Sequence, residues 1–488
     1  MFVHQSPHSQ SSAGFLLILV LVMGSVFLLM VSSFIGYVAT QNQVVNFRHE
    51  QQRATEIAEA GLNYYRWYLA HYPGDVTNGT GLPGPYVHEY KDPEGGTIGE
   101  FSLDISSNEY CGDIASIDIT STGHAYVDPD AIARISARYK QPTVADYSFI
   151  NNASVRYGST RVITGPVHGN QGVLMDGSHN SFVGAGVPTF DGNDGVYTTT
   201  GNATPGLFRF PISPIDFTGL TIDMAQIRAR AQSDGIYYGP TSEDGYRLEF
   251  NSDGTIDVYE VTQTSNYWSY SAVEKWHQGE RNDIRNETLL NAGLAINPDC
   301  PVLFFEDKLW IEGQVTQKVA VGVGLNTTPN PYGSGSNGQN NIVIHNNLQY
   351  VPNSDAGLVA IAEEDIDVGI EVQNNMSADG IFIAQKGRFG RNRYCTSCGV
   401  REYWWSPYVN YGLPWYLDQY VSRDSLNRLG SVVSNLGGGT EWVTGGGTHS
   451  SGFRSRVTSF DRNQVDNPPP LTPTTNDVYE LQDWRQDG

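Results

Sequence analysis

The segment from Phe15 to Ala39 constrains the fold of this chain more than any other, because its 25 residues include no charged side chain. As an α-helix it would be about 37 Å long at about 1.5 Å per residue, which exceeds the roughly 30 Å of a bilayer's hydrocarbon core. The run is too long for a cleaved secretory signal, and no Lys or Arg precedes it. A buried core helix, the alternative, does not suit this length and purity. We therefore predict a membrane-spanning anchor.

The helical pattern continues beyond this span and ends at Pro73-Gly74, since Pro and Gly terminate helices. Small, apolar and aromatic residues recur there at steps of three and four and share one helical face: Ala54, Ile57, Ala58, Gly61, Tyr65 and Tyr68. We predict one helix over residues 15–72. Its second half is expected to pack on a globular head or along neighbouring copies of itself.

After Pro73 the sequence changes to short alternating segments, such as Thr97–Ile105, which predict a small antiparallel sheet. Farther on, short apolar runs end in Gly, Asn or Asp, as the corners of a β-solenoid require, although a β-sandwich is an alternative. The predicted fold class is α+β, with a long N-terminal helix, a small antiparallel sheet and a large β-solenoid-like head that carries an inserted α+β subdomain. The predicted domains are a leader (1–14), the helix (15–72), the small β region (73–146), the solenoid-like head (147–204 and 319–488) and the inserted subdomain (205–318).

Composition describes the remainder of the chain as acidic and rich in turns. There are 52 acidic against 29 basic residues, which gives a net charge of −23, and 53 of the 488 residues are Gly. A charge of this sign argues against a nucleic-acid-binding protein, and aromatic residues at 11% argue against disorder. Since the first charged residue is Arg48, all of this charge lies after the anchor. We read the balance as that of an exported β-rich protein.

Two motifs give the N-terminus a resemblance to type IV pilin-like proteins. Gly14-Phe15 before the apolar run resembles the site that prepilin peptidase cuts, and Ala54–Leu62 (ATEIAEAGL) resembles the AxxxAEAGL stretch of PilX-type minor pilins and K-type secretion pseudopilins. Leu19 occupies the fifth mature position, where major pilins carry Glu, and the leader has no basic residue. The resemblance implies cleavage between Gly14 and Phe15, and assembly with other pilin-like subunits through the helix.

The head resembles the DUF4900-type region found with PilX-type proteins, in which one strand precedes a run of solenoid rungs. The matching segments are 303–313 (LFFEDKLWIEG), 379–385 (DGIFIAQ), 430–433 (GSVV), 460–461 (FD) and 468–470 (PPP). The resemblance implies a β-rich head that serves in pilus assembly or adhesion.

Orientation is encoded by two opposing signals. Arg48 and Arg53 follow the span, so a strict positive-inside count would place the head in the cytoplasm. Large domains translocate largely regardless of charge, and the pilin resemblance implies a head on the other side. We expect an inner-membrane anchor and a head outside the cytoplasm, at the cell surface or in a pilus.

The four cysteines allow three disulfide pairings. We predict a tight disulfide between Cys395 and Cys398, with Cys111 and Cys300 joined or free. A structural zinc site would need a second such pair or two histidines near the first, and a thioredoxin-like role would need a helix start. We predict no metal site and no cofactor.

The neighbouring residues Lys386, Arg388, Arg391 and Arg393 form a candidate basic binding patch, extended by Arg401 and the aromatic run 403–405 (YWW). Interleaved Arg and aromatic side chains can bind a glycan or nucleic acid. Alternatively, the segment pairs with acidic residues elsewhere on the chain or on a neighbouring subunit. The net charge of −23 leads us to expect a surface or glycan ligand at most, and no nucleic-acid partner.

Acidic clusters at 191–195 (DGNDG) and 363–367 (EEDID) contain oxygen ligands suited to calcium, but neither matches an EF-hand loop, and Asp and Asn are common at turns. Catalytic motifs for hydrolases, metalloproteases and nucleotide-binding enzymes are missing, so we predict no catalytic residue and no enzyme activity. The predicted function is a non-catalytic minor or tip subunit of a pilus. The alternative is a membrane-anchored surface β-helix protein that binds or cleaves polysaccharide.

Overall fold

The computed structural model describes residues 13–218, 220, 223–273, 275–280, 282–327, 340–400, 409–410 and 412–487. Its α-helices in these residues are α1 (Ala13–His71), α2 (Met224–Ser233) and α3 (Arg462–Asp466). Two compact units are present, each described separately below. The first comprises residues up to 106, with 118–138 and the segment from 483, and the second comprises residues 107–117 and 139–482.

Helix α1 runs without a break through the predicted span and the amphipathic segment. The predicted bounds of 15–72 agree with those observed to within two residues. Within the described residues, this helix is long and apolar enough to cross a membrane. Its first half is exposed along its whole length, whereas its second half buries Ile57, Leu62 and Leu69. The two halves therefore meet different surroundings.

The strands that precede the second unit's main body are β1 (Tyr86–Lys91), β2 (Thr97–Tyr110), β3 (Asp113–Ala125) and β4 (Ile132–Lys140). With the C-terminal strand 480–487 they form one five-stranded sheet, in which β1 pairs antiparallel with β2. Burial alternates along β3 and β4, so that one face of each strand is buried and the other is more exposed to solvent. Phe101 and Leu103 of β2 belong to this buried face.

The second half of α1 approaches this sheet closely enough that only small residues fit. A Cβ at Gly123 would lie within contact distance of the Ala54 carbonyl oxygen and 2.5 Å from the Ala58 amide nitrogen. On the helix, a Cβ at Gly61 would collide with the Ser121 hydroxyl and lie 2.9 Å from the Phe101 ring. Small side chains therefore set the spacing between helix and sheet.

The second unit begins with short strands joined by tight turns. They are β5 (Phe149–Asn151), β6 (Val155–Tyr157), β7 (Arg161–Ile163), β8 (Val167–Gly169), β9 (Val173–Met175), β10 (Ser178–His179), β11 (Val183–Ala185), β12 (Thr189–Phe190), β13 (Asn193–Asp194), β14 (Val196–Tyr197) and β15 (Phe208–Arg209).

The strands between 236 and 350 are longer. They are β16 (Ile236–Tyr238), β17 (Gly245–Phe250), β18 (Thr255–Thr264), β19 (Tyr267–Ser271), β20 (Lys275–Glu280), β21 (Ile284–Ala295), β22 (Val302–Phe305), β23 (Leu309–Val315), β24 (Lys318–Val323) and β25 (Ile342–Tyr350).

The remaining strands extend to the C-terminus. They are β26 (Gly357–Ala362), β27 (Ile366–Val368), β28 (Asn375–Ala384), β29 (Phe389–Gly390), β30 (Gly399–Val400), β31 (Val409–Asn410), β32 (Ser422–Ser434), β33 (Glu441–Val443), β34 (His449–Ser459) and β35 (Glu480–Asp487).

Parallel pairing organises the second unit into a solenoid-like stack. One ladder runs in the order β16, β22, β24, β26, β28, β32, β5, β8, β11 and β15, with every step parallel. A second parallel ladder runs in the order β17, β23, β25, β27 and β29. The first strands of the second unit, β5, β8 and β11, therefore stack beyond β32 and not beside β16. The predicted fold class is confirmed.

Strands of the first ladder are buried on both faces. Alternate residues of β22 contribute to two apolar clusters, Leu303 to one and Phe304 to the other. Helix α2 covers the second cluster with Met224 and Ile227. Burial on both faces explains why these strands read as continuous apolar runs in the sequence.

Because Gly123 has no room for a side chain, we expect Gly123→Ala to force helix α1 away from the sheet. The predicted loss is about 1–3 kcal/mol in the free energy of unfolding of the first unit, as for other overpacked cores. Circular dichroism of the full-length protein in detergent during urea unfolding measures it. The matched control is Gly445→Ala, because no atom lies within 4 Å of that Cβ position. Equal unfolding curves for the two variants would contradict the packing argument.

Candidate functional site

The first half of α1 presents an uninterrupted apolar surface. The most apolar window of the helix has a mean hydropathy of 2.9 and no residue buried within the structure. Phe15 is 75% exposed and Leu19 is 50% exposed. Two hydroxyl groups in this half form hydrogen bonds within the helix: Ser25 Oγ donates to the Val22 carbonyl at 2.8 Å and Thr40 Oγ1 donates to the Gly36 carbonyl at 3.0 Å. This surface is therefore suited to lipid or to another apolar surface.

Charged residues begin where the helix reaches the sheet. Glu50 is buried and accepts a hydrogen bond from Arg53 Nη1 at 3.2 Å. His49 Nδ1 lies 3.3 Å from the same carboxylate. Gln51 Nε2 donates to the Ile132 carbonyl at 2.8 Å, which ties the helix to β4. The transition from apolar to polar surroundings thus takes about one helical turn.

The end of α1 is fixed by two tyrosines and Asp75. Tyr65 donates its hydroxyl to the Asp75 carbonyl at 2.8 Å, and Tyr68 donates to the Asp75 carboxylate at 2.5 Å. The hydrogen bond to Asp75 raises the pKa of Tyr68 to about 12, and the same bond lowers the pKa of Asp75. The helix C-terminus is therefore held by side chains of its own unit.

Gly14 and Phe15, the predicted cleavage residues, lie in the first turns of α1. A Cβ at Gly14 would meet no atom within 4 Å, and the Phe15 side chain is exposed. Residues 1–12 of the predicted leader lie outside the described residues. Cleavage at this position stays a prediction.

The cysteines form two disulfides in the structure, Cys395–Cys398 and Cys111–Cys300. The second connects the β2–β3 turn to the segment before β22, and the Cys111 amide donates to the Asp299 carbonyl at 2.8 Å. The Cys395 carbonyl accepts from the Leu413 amide at 2.9 Å. Arg401 and the aromatic run 403–405, predicted to extend the basic segment, lie outside the described residues.

The residues of the candidate basic patch differ in their surroundings. Lys386 is exposed and its ammonium lies 2.5 Å from the Glu363 carboxylate, which raises the pKa of Lys386. Arg388 is buried, with its guanidinium 3.3 Å from Asp367 and 4.0 Å from Asp365. The acidic cluster 363–367 thus pairs with the basic segment.

The other two arginines of the segment are also engaged within the unit. Arg391 is fully buried and donates through Nη2 to the carbonyls of Ile370 at 3.1 Å and Tyr420 at 2.7 Å. Arg393 lies with its guanidinium 5.9 Å from the centre of the Trp276 ring. The structure therefore does not gather the four basic residues into one exposed surface. Binding of a ligand to this segment stays a prediction.

Sequence reasoning did not find two other groups of charged residues. Arg247 contacts Glu287 at 2.6 Å, Glu312 at 2.7 Å and Glu249 at 2.9 Å. Burial alone would lower the pKa of Arg247, but these carboxylates raise it above its ordinary value. The only local signal was the spacing of Arg247 and Glu249 on one face of a strand. The second group consists of three buried arginines in the solenoid: Arg161, Arg428 and Arg456. In the described part of the chain, no cluster of His, Cys, Asp and Glu could hold a metal ion.

No protein-family model matches the chain, and no curated protein matches it. Among solved structures, the chain is similar to the competence-associated pilin ComZ from Thermus thermophilus, with 14% sequence identity and a TM-score of 0.26. The similarity covers 90% of this chain and 97% of that chain. A TM-score this low does not establish a shared fold, so function is inferred from the residues of this chain.

The pairing between the basic segment and the acidic cluster predicts that a buried ion pair contributes more to the stability of the protein than an exposed one. Arg388→Ala removes the guanidinium that faces the buried Asp367 carboxylate, which should lower the free energy of unfolding by about 3–5 kcal/mol. Lys386→Ala removes an exposed partner of Glu363 and should cost less than about 1 kcal/mol. Thermal melts of the two full-length variants measure the difference. A loss at Lys386 as large as that at Arg388 would contradict the burial assigned to each.

Proposed function

We propose that this protein is a non-catalytic, pilus-associated subunit that is anchored by helix α1 and presents its β-rich head outside the cytoplasm. The observation that carries the proposal is the division of α1 into two halves. One half is apolar and unpartnered by other described residues, and the other packs on an antiparallel sheet. A subunit built in this way can leave the bilayer for a filament without unfolding, because both settings cover the same apolar surface.

The AxxxAEAGL-like stretch has a packing role that supports the resemblance to PilX-type proteins. Ala54, Ala58 and Gly61 lie on the face that meets the sheet, where larger side chains would not fit. Glu56 and Glu59 are exposed on the opposite side of the helix. Neither carboxylate forms an ion pair within the described residues, although Glu56 accepts a hydrogen bond from Gln52 Nε2 at 3.2 Å, so both can face a neighbouring subunit. The stretch thus combines docking of the head with a charged outer face.

The partners in this proposal are other pilin-like subunits, contacted through residues 15–47 of α1. The fifth mature position is Leu19, where major pilins carry Glu. This difference fits a rare or terminal subunit, as the resemblance to K-type and PilX-type proteins implies. The head contributes a large outer surface for assembly or adhesion. Trp415, which is 85% exposed, is its most prominent aromatic side chain in the described residues.

Processing of the N-terminus tests the proposal. In cells with an active prepilin peptidase, the mature protein should begin at Phe15 and lack residues 1–14, as determined by N-terminal sequencing and intact mass. Gly14→Val should block this cleavage, because it removes the Gly of the Gly-Phe pair that resembles the peptidase's cleavage site.

Gly24→Val is the matched control, since Gly24 is also an unpartnered glycine of the apolar helix. It should be processed as the wild-type protein is. An intact Met1 in the wild-type protein, in cells that process their other prepilins, would favour the stand-alone anchored surface protein instead.

A further inference from the structure

Three arginines point into the interior of the solenoid where its first and last strands in the sequence meet. Arg161 lies on β7, Arg428 on β32 and Arg456 on β34. Their strands are joined in parallel, with Arg456 directly beside Arg161 in the ladder. The three side chains are only 7%, 4% and 6% exposed, in that order. Burial of this many positive charges is costly unless they are paired.

Among the described residues, these charges are only partly compensated. Arg456 forms an ion pair with Glu441 and a hydrogen bond with Thr160. The Glu441 carboxylate also lies 3.3 Å from His449 Nδ1 and accepts from Thr160 at 3.0 Å. One carboxylate therefore serves the whole cluster, which leaves two positive charges in excess.

Arg161 and Arg428 carry this excess. The Arg161 guanidinium has no hydrogen-bond or ion-pair partner in the described part of the chain, and its Nε is buried without a partner. Arg428 donates through Nη2 to Thr458 Oγ1 at 2.8 Å, but its Nη1 is buried without a partner. Both guanidinium groups lie over the Phe149 ring, at 5.1 and 4.9 Å from its centre. An aromatic ring attracts a cation but does not neutralise it.

A cavity of about 20 Å³ lies between these two arginines. Phe149, Tyr157 and Phe389 form its apolar walls, and Asn151 and Thr440 are polar residues in its lining. A volume of roughly 10–15 Å³ is needed for a particle the size of water, so the cavity holds about one such particle. The volume of a sulfate or phosphate ion exceeds this space, so the size of the cavity favours a monatomic anion.

We propose that this cavity is a binding site for a single halide-sized monovalent anion, held between the guanidinium groups of Arg161 and Arg428. The anion would accept hydrogen bonds from the buried donors that lack partners and would neutralise part of the excess charge. Loss of a proton would not remove the excess charge, because the guanidinium of Arg stays charged in proteins. Burial and the neighbouring arginines lower the pKa of Arg161, and burial lowers the pKa of Arg428 to about 9. Both shifts mean that the surroundings disfavour the charged form of each guanidinium, and a bound anion would favour it.

The site would link strands from the two ends of the second unit's sequence, at a joint in the middle of the stack. Arg428 comes from the last strands in the sequence and Arg161 from the first, so an anion that contacts both stabilises the stacking of β32 and β34 on β5 and β7. Binding to the folded state alone stabilises a protein in proportion to the logarithm of ligand concentration. The inference does not depend on the proposed pilus function.

Thermal melts of the full-length protein in detergent test the site, with sodium gluconate replaced by sodium bromide at constant ionic strength. Bromide should raise the melting temperature of the wild-type protein by about 2–4 °C, and the rise should grow with the logarithm of bromide concentration, because gluconate is too large for the cavity. Arg428→Met should lose this bromide effect. Arg454→Met is the matched control, since Arg454 lies exposed on β34, and it should keep the effect.

A second measurement decides the matter if Arg428→Met fails to fold. Crystals of the wild-type protein grown in bromide should give an anomalous peak between Arg161 and Arg428. A wild-type melting temperature that does not respond to bromide, an equal response in Arg428→Met, or bromide peaks that avoid the cavity would each overturn the proposal.

Discussion

The physical constraint on which the rest of the structure depends is the exposed apolar half of helix α1. About 30 residues without a charge cannot remain in water, and no described residue of the chain covers them. A bilayer would satisfy this need, and in the proposed filament neighbouring helices would satisfy it. The apolar face of the second half of the helix is covered by the antiparallel sheet, because small residues such as Ala58 and Gly61 let the two pack tightly.

The second unit depends on a long-range strand pairing that joins the two parts of its stack. Strand β32, near the C-terminus, pairs in parallel with β5, near the start of the unit, through Val432 and Phe149. This joint connects residues almost 300 positions apart, so the stack is complete only when both ends of the unit have been made. Two buried arginines, Arg161 and Arg428, lie at the same joint.

Local patterns predicted the elements of this protein better than their arrangement. The helix was predictable because charge and hydropathy change at Arg48, and the short strands because Gly, Asn and Asp interrupt them. The pairing of β32 with β5 was not predictable, since nothing near Phe149 identifies a partner so distant in sequence. The same limit applies to the charged residues. Strand alternation does not reveal which face is inside, so the sequence left open whether Arg388 and Arg391 bind a ligand or pair with acidic residues, and the buried position of Arg161 had no signal at all.

Filament membership is tested most directly by shearing cells that produce the full-length protein and probing the released filaments with an antibody against the head. The protein should be present in the sheared filament fraction of wild-type cells and absent from that fraction in cells that lack prepilin peptidase, where it should stay in the membrane. Retention of all the protein in the membrane of wild-type cells, while their other pilin subunits are recovered in the sheared fraction, would contradict the account.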